Sequence, residues 1–348
     1  MTYLTRMVAF LITVFLGLFS VVGTPTWKRE APLRVAAYIV VSDVEAAKAL
    51  DDSHLDDLTD IILIGNTGWF GTDGKLHMAE AFGDVAAWFR ARTAKNHTRL
   101  LVTIGGPGAS EGTDVTERFE SQAANHKLAF DSGVLETEIR QMLETYALDG
   151  VNFDYEFPGT PQREKEFSAF LVSLDKVLKD DYLITAALSS GWCKNTTPEA
   201  IAALDTVQLM DYDLWDRTGA HATLGIGKGC VAEMLETGFS KEQIDLGLAF
   251  YARPTTQEAY WYDYKEYYKT MDRYGFAPDE AHGLTASFNT PRETYLKTLW
   301  AKRNGLGGVF VWHYACDVPA DNCASLFNQV MRAKNGLLRA GRRQTPIP

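Results

Sequence analysis

The chain has 348 residues, 46% of them hydrophobic, which suits one large domain or two of ordinary size. Its formal net charge of −11 argues against a nucleic-acid partner, because phosphate binding calls for a basic face. The basic stretch Arg339–Arg343 is short and reads as a solvated tail, residues 335–348.

In chain order, Arg6 precedes the apolar run MVAFLITVFLGLFSVVG. Its core has about the length of a signal-peptide core, and Val21 and Gly23 offer a cleavage point. Residues 1–23 therefore read as a secretory signal, and the mature protein as extracellular. An uncleaved membrane anchor is the alternative, since a spanning helix needs only slightly more length. No later segment is apolar long enough to span, so no stable membrane association is expected after cleavage. The four cysteines are Cys193, Cys230, Cys316 and Cys323. An even count in a secreted chain suggests disulfides, Cys316 with Cys323 and Cys193 with Cys230. Their spacing does not resemble a zinc site. Asn96-His97-Thr98 and Asn195-Thr196-Thr197 are glycosylation sequons.

Short apolar, β-branched runs recur at Arg34–Val41, Ile61–Gly65, Leu100–Gly105, Gly150–Glu156, Leu183–Leu188, Thr206–Tyr212, Ile244–Phe250 and Gly308–Trp312. Runs of this kind suit parallel strands covered on both faces. Helical patterns lie between them. Ser42 with Glu45 reads as a capping box opening the first. Phe167, Phe170, Leu171, Leu174, Val177 and Leu178 recur at helical spacing after the fourth run. Thr290-Pro291 opens a helix that Gly305 stops. Eight strands alternating with helices predict a single (β/α)8 TIM barrel over residues 24–334. An open doubly wound sheet is the alternative, but no GxGxxG follows the first strand. The longest connection, before the last strand, carries Tyr260, Trp261, Tyr262, Tyr264, Tyr267 and Tyr268. These either pack a helix or stack on a ligand.

The fourth run sits in DGVNFDYEFPG, residues 149–159. Side chains alternate along a strand, so Asn152, Asp154 and Glu156 share one face. In a barrel that face looks to the axis, and Glu156 stands at the C-terminal end, where barrel enzymes carry their active sites. Two inward carboxylates fit a structural ion pair, a metal site or acid catalysis. No obvious Lys or Arg faces them, and a hard cation wants more ligands. Crowding raises at least one pKa, which suits a general acid. Asp149 precedes the strand and reads as a turn-setting residue.

DGVNFDYEFPG resembles the DGxDxDxE signature of family 18 glycoside hydrolases, the chitinase family. Four further segments are similar to that family's motifs and fall in its order. They are Thr103-Ile104-Gly105-Gly106 (with Thr for Ser), Met210-Asp211-Tyr212-Asp213, LGLAFYAR (246–253) and GLGGVFVW (305–312). The resemblance implies a retaining, substrate-assisted glycosidase that needs no metal or cofactor. Glu156 would be the acid and then the base. Asp154 would orient the substrate acetamido group, Tyr212 would donate to its carbonyl, and Asp213 would assist at the same sugar. Trp312 would floor the site. Asn152, Met210, Gly105, Trp69 and Tyr38 would contact substrate. The alternative is that Trp312 and Tyr212 are core aromatics and Gly105 a turn glycine. Trp69, Phe70 and Trp192 follow strands and are candidates to stack on sugars.

The implied substrate is chitin or its N-acetylglucosamine oligomers, cleaved by a monomer. An endo-β-N-acetylglucosaminidase or chitobiase acting on glycoprotein glycans is the second reading. A non-catalytic chitin-binding lectin is the third, although such proteins typically lack the acid. Two departures from the family pattern stand out. Asn152 replaces the usual middle aspartate, so Asp154 loses a like-charged neighbour and its pKa should sit lower than in a two-Asp site. The connection after the seventh strand also lacks the pattern of a full α+β insertion domain, which implies a shallower groove and internal cleavage.

Overall fold

The computed structural model describes residues 32–105 and 115–336. Every expected strand forms: β1 (Arg34–Val41), β2 (Asp60–Phe70), β3 (Arg99–Gly105), β4 (Gly150–Asp154), β5 (Leu183–Leu188), β6 (Thr206–Leu209), β7 (Ile244–Ala249) and β8 (Gly308–Trp312). Each pairs in parallel with the next, and β8 pairs with β1, closing the barrel. Residues 1–23, expected to be a secretory signal, Gly106 and the Arg339–Arg343 stretch lie outside the described residues. Among the described residues, no helix is long and apolar enough to cross a membrane.

The β4 alternation explains the two faces. Phe153 and Tyr155 point outward and pack edge-on against Phe167 of the helix Pro161–Leu178, at 5.8 and 5.7 Å between centroids. Asn152 and Asp154 point inward and are buried. Strand pairing ends at Asp154 rather than Glu156, where Gly105 of β3 and Ala187 of β5 are its last partners. Glu156 therefore stands on the rim. β6 likewise ends at Leu209, which leaves Met210–Asp213 as rim backbone.

Helix ends follow local chemistry. Thr290 Oγ1 accepts from the Glu293 amide at 3.1 Å and Pro291 opens the helix Pro291–Arg303, as expected. The first helix (Val44–Lys48) corrects the Ser42–Glu45 expectation. Asp43 is the cap, its Oδ1 accepting from Ala46 N at 2.9 Å. Asp lies one residue nearer the helix, and Glu45 pairs with Lys48 instead, at 2.7 Å.

The expected disulfides are not formed, and all four thiols are free. Cys316 is buried and its Sγ faces Asp263 and His313, whereas Cys323 is exposed. Cys193 is buried against Met234, with 3.2 Å between sulfurs. The connection between β7 and β8 is more ordered than its sequence suggested. Strands Tyr251–Pro254, Tyr262–Asp263, Phe276–Asp279 and Leu284–Ser287 form a small antiparallel sheet, with one helical turn at Tyr264–Tyr267. Tyr262 and Tyr264 are core residues of this insertion, while Tyr260 and Trp261 are 43% and 38% exposed.

Candidate active site

Asp154 and Glu156 meet at the C-terminal mouth of the barrel. Asp154 is buried, and burial, the Glu156 charge and a hydrogen bond to Glu156 together lift its carboxyl well above the usual range. Glu156 is half-buried. Burial raises its carboxyl too, and the Asp213 charge adds to this, against the opposing effects of the Asp154 hydrogen bond and Arg253. Two adjacent carboxyls resist ionising together, since that would place like charges side by side. Asp154 Oδ1 is buried without a hydrogen-bond partner among the described residues. Raised carboxyls keep a proton to higher pH than ordinary ones, which is the property a general acid requires.

Below the pair, Asn152 uses every hydrogen-bonding position it has. Oδ1 accepts from Tyr38 OH at 2.9 Å and from Thr103 Oγ1 at 3.3 Å. Nδ2 donates to Thr185 Oγ1 at 2.8 Å and to Gln208 Oε1 at 2.9 Å. Gln208 Nε2 then reaches Asp245 Oδ2 at 3.3 Å, and Asp245 pairs with Arg34 at 2.8 Å. Burial, offset by Arg34, sets the Asp245 carboxyl at about 6. This ladder fixes the Asn152 orientation. Asn152→Asp would turn a carboxylate oxygen toward Gln208 Oε1, and Gln208 cannot flip without facing Asp245 with its own oxygen. We expect the substitution to cost about 1–3 kcal/mol of stability, the penalty for an unmatched buried group. It should also move the basic limb of the activity profile upward, because a restored negative charge raises the Asp154–Glu156 pair. Denaturant melts and a kcat–pH series check both, and an unchanged profile would count against the charge argument.

Tyr38, Met210 and Phe310 are buried together in the barrel interior, with Tyr212 and Trp312 packed against them. Tyr38 meets Trp312 edge-on at 5.2 Å. The Tyr212 hydroxyl is pushed well up by burial and by neighbouring Tyr251, Tyr38, Glu156 and Asp154, which keeps it a donor. Gly105 is needed for its backbone: its φ is +104°, and a Cβ there would sit 2.6 Å from Asp154 O. It therefore lets β3 lie close against Asp154. Trp69 is half-buried and lies against His77, while Trp192 is 42% exposed and stacks on Phe157 at 5.9 Å. Phe70 is buried against His126 and Phe130, so it cannot stack on a sugar as expected.

Asp213 projects from the β6 rim into a cationic clamp. Arg253 Nε and Nη2 reach its two oxygens at 2.8 and 2.9 Å, and Tyr251 OH donates to Oδ1 at 2.6 Å. Burial raises its carboxyl, but bonds from Arg253, His221 and Tyr251 outweigh this and hold it far below the ordinary value. Asp213 is therefore a fixed anion, not a proton donor. Trp261 stacks face to face on Tyr251 at 3.8 Å, and Arg253 lies over both rings. Arg253 and Tyr251 lie in the LGLAFYAR segment, but only the fold brings them to Asp213. Asp211 is a further case: its Oδ2 meets Lys297 Nζ at 2.9 Å with both side chains fully buried. Nothing in the sequence linked those two.

The closed (β/α)8 barrel thus carries an acidic pair at the β4 rim and Trp312 at the end of β8. The family model of glycosyl hydrolases family 18 matches residues 12–317, and the chain belongs to that family. It is 25% identical over 326 residues to the probable endochitinase of Orgyia pseudotsugata multicapsid polyhedrosis virus, with 74% of this chain and 56% of the relative covered. The chain spans about half the length of the curated relatives it matches, 56% and 53% for the first two. Among solved structures, the GH18 chitinase ChiB of Flavobacterium johnsoniae aligns with a TM-score of 0.70 at 21% identity, over 87% of this chain and 94% of that one. The chitinase-like agglutinin of Robinia pseudoacacia aligns at 0.64 and 19% identity, over 86% and 99%. These two likenesses show the fold.

Proposed function

We propose that this chain is a retaining chitinase that hydrolyses β-1,4 linkages between N-acetylglucosamine units with the help of the substrate's own acetamido group. The observation that carries this reading is the hydrogen-bonded Asp154–Glu156 pair at the barrel mouth, Asp154 buried, Glu156 half-buried and both carboxyls raised. Glu156 stands on the rim and protonates the glycosidic oxygen. Asp154 steadies the acetamido nitrogen as its carbonyl attacks the anomeric carbon. Glu156 then takes a proton from the water that opens the oxazolinium ion, which restores the starting anomer. The Tyr212 hydroxyl donates to the acetyl oxygen, and Trp312 floors the sugar. Asp213, held by Arg253 and Tyr251, acts as a fixed negative charge near the site.

We assign residues 1–23 as a secretory signal, which makes the protein extracellular, and we propose that it acts as a monomer. Internal cleavage is the favoured mode, because the small insertion sheet adds only short strands beside the β8 rim. The experiment is digestion of N-acetylglucosamine tetramers to hexamers beside a high-mannose glycopeptide, with the nascent anomer followed by NMR. We expect oligomer cleavage with the β-anomer formed first. Cleavage of the glycopeptide alone moves the protein to glycan processing. Binding without hydrolysis makes it a lectin.

A further inference from the structure

Beside the barrel mouth, three side chains of different chemistry converge. Asp263 comes from the insertion sheet, and His313 and Cys316 follow β8. One ligand atom from each lies within 4.8 Å of the others. Cys316 Sγ is 3.2 Å from His313 Nε2 and 3.3 Å from Asp263 Oδ1. The second Asp263 oxygen is occupied by Lys265 Nζ at 3.2 Å, and Lys265 also donates to Ala315 O at 2.8 Å. His313 Nδ1 is buried without a partner among the described residues. Trp261 donates to Asp263 Oδ1 at 2.6 Å and lies nearly parallel to the His313 ring, so the group is walled by an aromatic face.

We propose that Asp263, His313 and Cys316 form a binding site for a thiophilic divalent cation of the zinc type. Thiolate, imidazole and carboxylate are the zinc ligand set, and three protein ligands leave a fourth position for water. Bond lengths of about 2.3 Å to sulfur and about 2.05 Å to nitrogen place tetrahedral S and N ligands about 3.5 Å apart. The Cys316–His313 separation of 3.2 Å needs to widen by only a few tenths of an ångström. The cation replaces the thiol proton, which is released to solvent. Trp261 keeps its hold on the carboxylate by shifting to the oxygen's remaining lone pair. The sequence concealed this site because Asp263 lies 50 positions before His313. Its effect is mechanical: it joins the insertion sheet to the segment that carries Trp312. The site is separate from the proposed chemistry and stands whether or not that reading holds.

The test uses the full chain, reduced and free of chelator, titrated with Co²⁺ and then Zn²⁺. We expect one Co²⁺ per chain with a thiolate-to-cobalt charge-transfer band, displaced by Zn²⁺. The band should vanish in Cys316→Ser and persist in Cys323→Ser, which removes the exposed thiol. Zn²⁺ should raise the unfolding midpoint of the wild type and of Cys323→Ser, and leave Cys316→Ser and Asp263→Asn unmoved. If Cys316→Ser fails to fold, Asp263→Asn decides the matter. Absence of the band, its loss only with Cys323, or an equal midpoint rise in Asp263→Asn each overturns the proposal.

Discussion

Glu156→Gln is expected to lower kcat on N-acetylglucosamine oligomers by about 10²–10⁴-fold, the span attributed to a positioned acid–base group. The amide keeps the volume and one donor, so the unfolding midpoint and KM should change little. It cannot surrender a proton, so the departing sugar must leave as an alkoxide. The loss should shrink on an aryl glycoside, whose leaving group needs little protonation. This contrast separates a missing acid from a damaged site, which would slow both substrates alike. The basic limb of the kcat–pH profile should also disappear. Its physical origin is a half-buried carboxyl raised by burial and by the Asp213 charge, which ionises as pH climbs through its folded value. A variant that retains wild-type kcat on oligomers would place the acid elsewhere and remove the basis for the proposed function.

The sequence exposed the barrel because its strands are nearly pure apolar runs, and burial on both faces leaves that pattern in the chain. β1, β5 and β8 begin and end where the pattern does. β4 and β6 stop two and three residues early, at Asp154 and Leu209, because the chain bends over the rim where side chains turn to the site. Asp154 and Glu156 stood out from strand alternation and position, whereas Tyr212 and Trp312 stood out only through the family resemblance. The groups that hold them did not. Gln208 beneath Asn152, and Lys297 beside Asp211, meet their partners only through barrel closure across 56 and 86 positions of sequence. The insertion sheet escaped notice for a related reason. Its strands are only two to four residues long, too short to show a readable alternation. Cysteine parity misled because it counts thiols without their directions, and Cys316 faces a carboxylate and an imidazole rather than Cys323.

Lys297→Met should be the most destabilising single change outside the mouth. The ammonium is fully buried, 2.9 Å from Asp211 Oδ2 and 3.1 Å from Ala222 O. Removing one partner of a buried pair costs about 3–5 kcal/mol, chiefly because the other charge is left unmatched. Water cannot relieve it, since Asp211 is walled by Gly227 and Gly247, where even a methyl group would collide with its carboxyl. Burial already raises the Asp211 carboxyl, with Lys297 opposing that rise. Without Lys297 the folded-state pKa climbs further above the unfolded value. A carboxyl raised on folding binds its proton more tightly in the folded state, so it favours folding more as pH falls through the interval between the two values. The deficit should therefore be largest at neutral pH and shrink in acid, which urea melts at pH 7 and pH 4.5 would reveal. Adding Asp211→Asn should restore part of the loss, because the orphaned charge is then gone. A deficit of the same size at both pH values, or a double variant no better than the single, would show that packing rather than charge sets the cost. Asp211 lies between Met210 and Tyr212, so the same pair also pins the rim segment that presents the Tyr212 hydroxyl. Lys297→Met should then lower kcat on oligomers even where the protein remains folded, linking a buried cation on an outer helix to the geometry of the mouth.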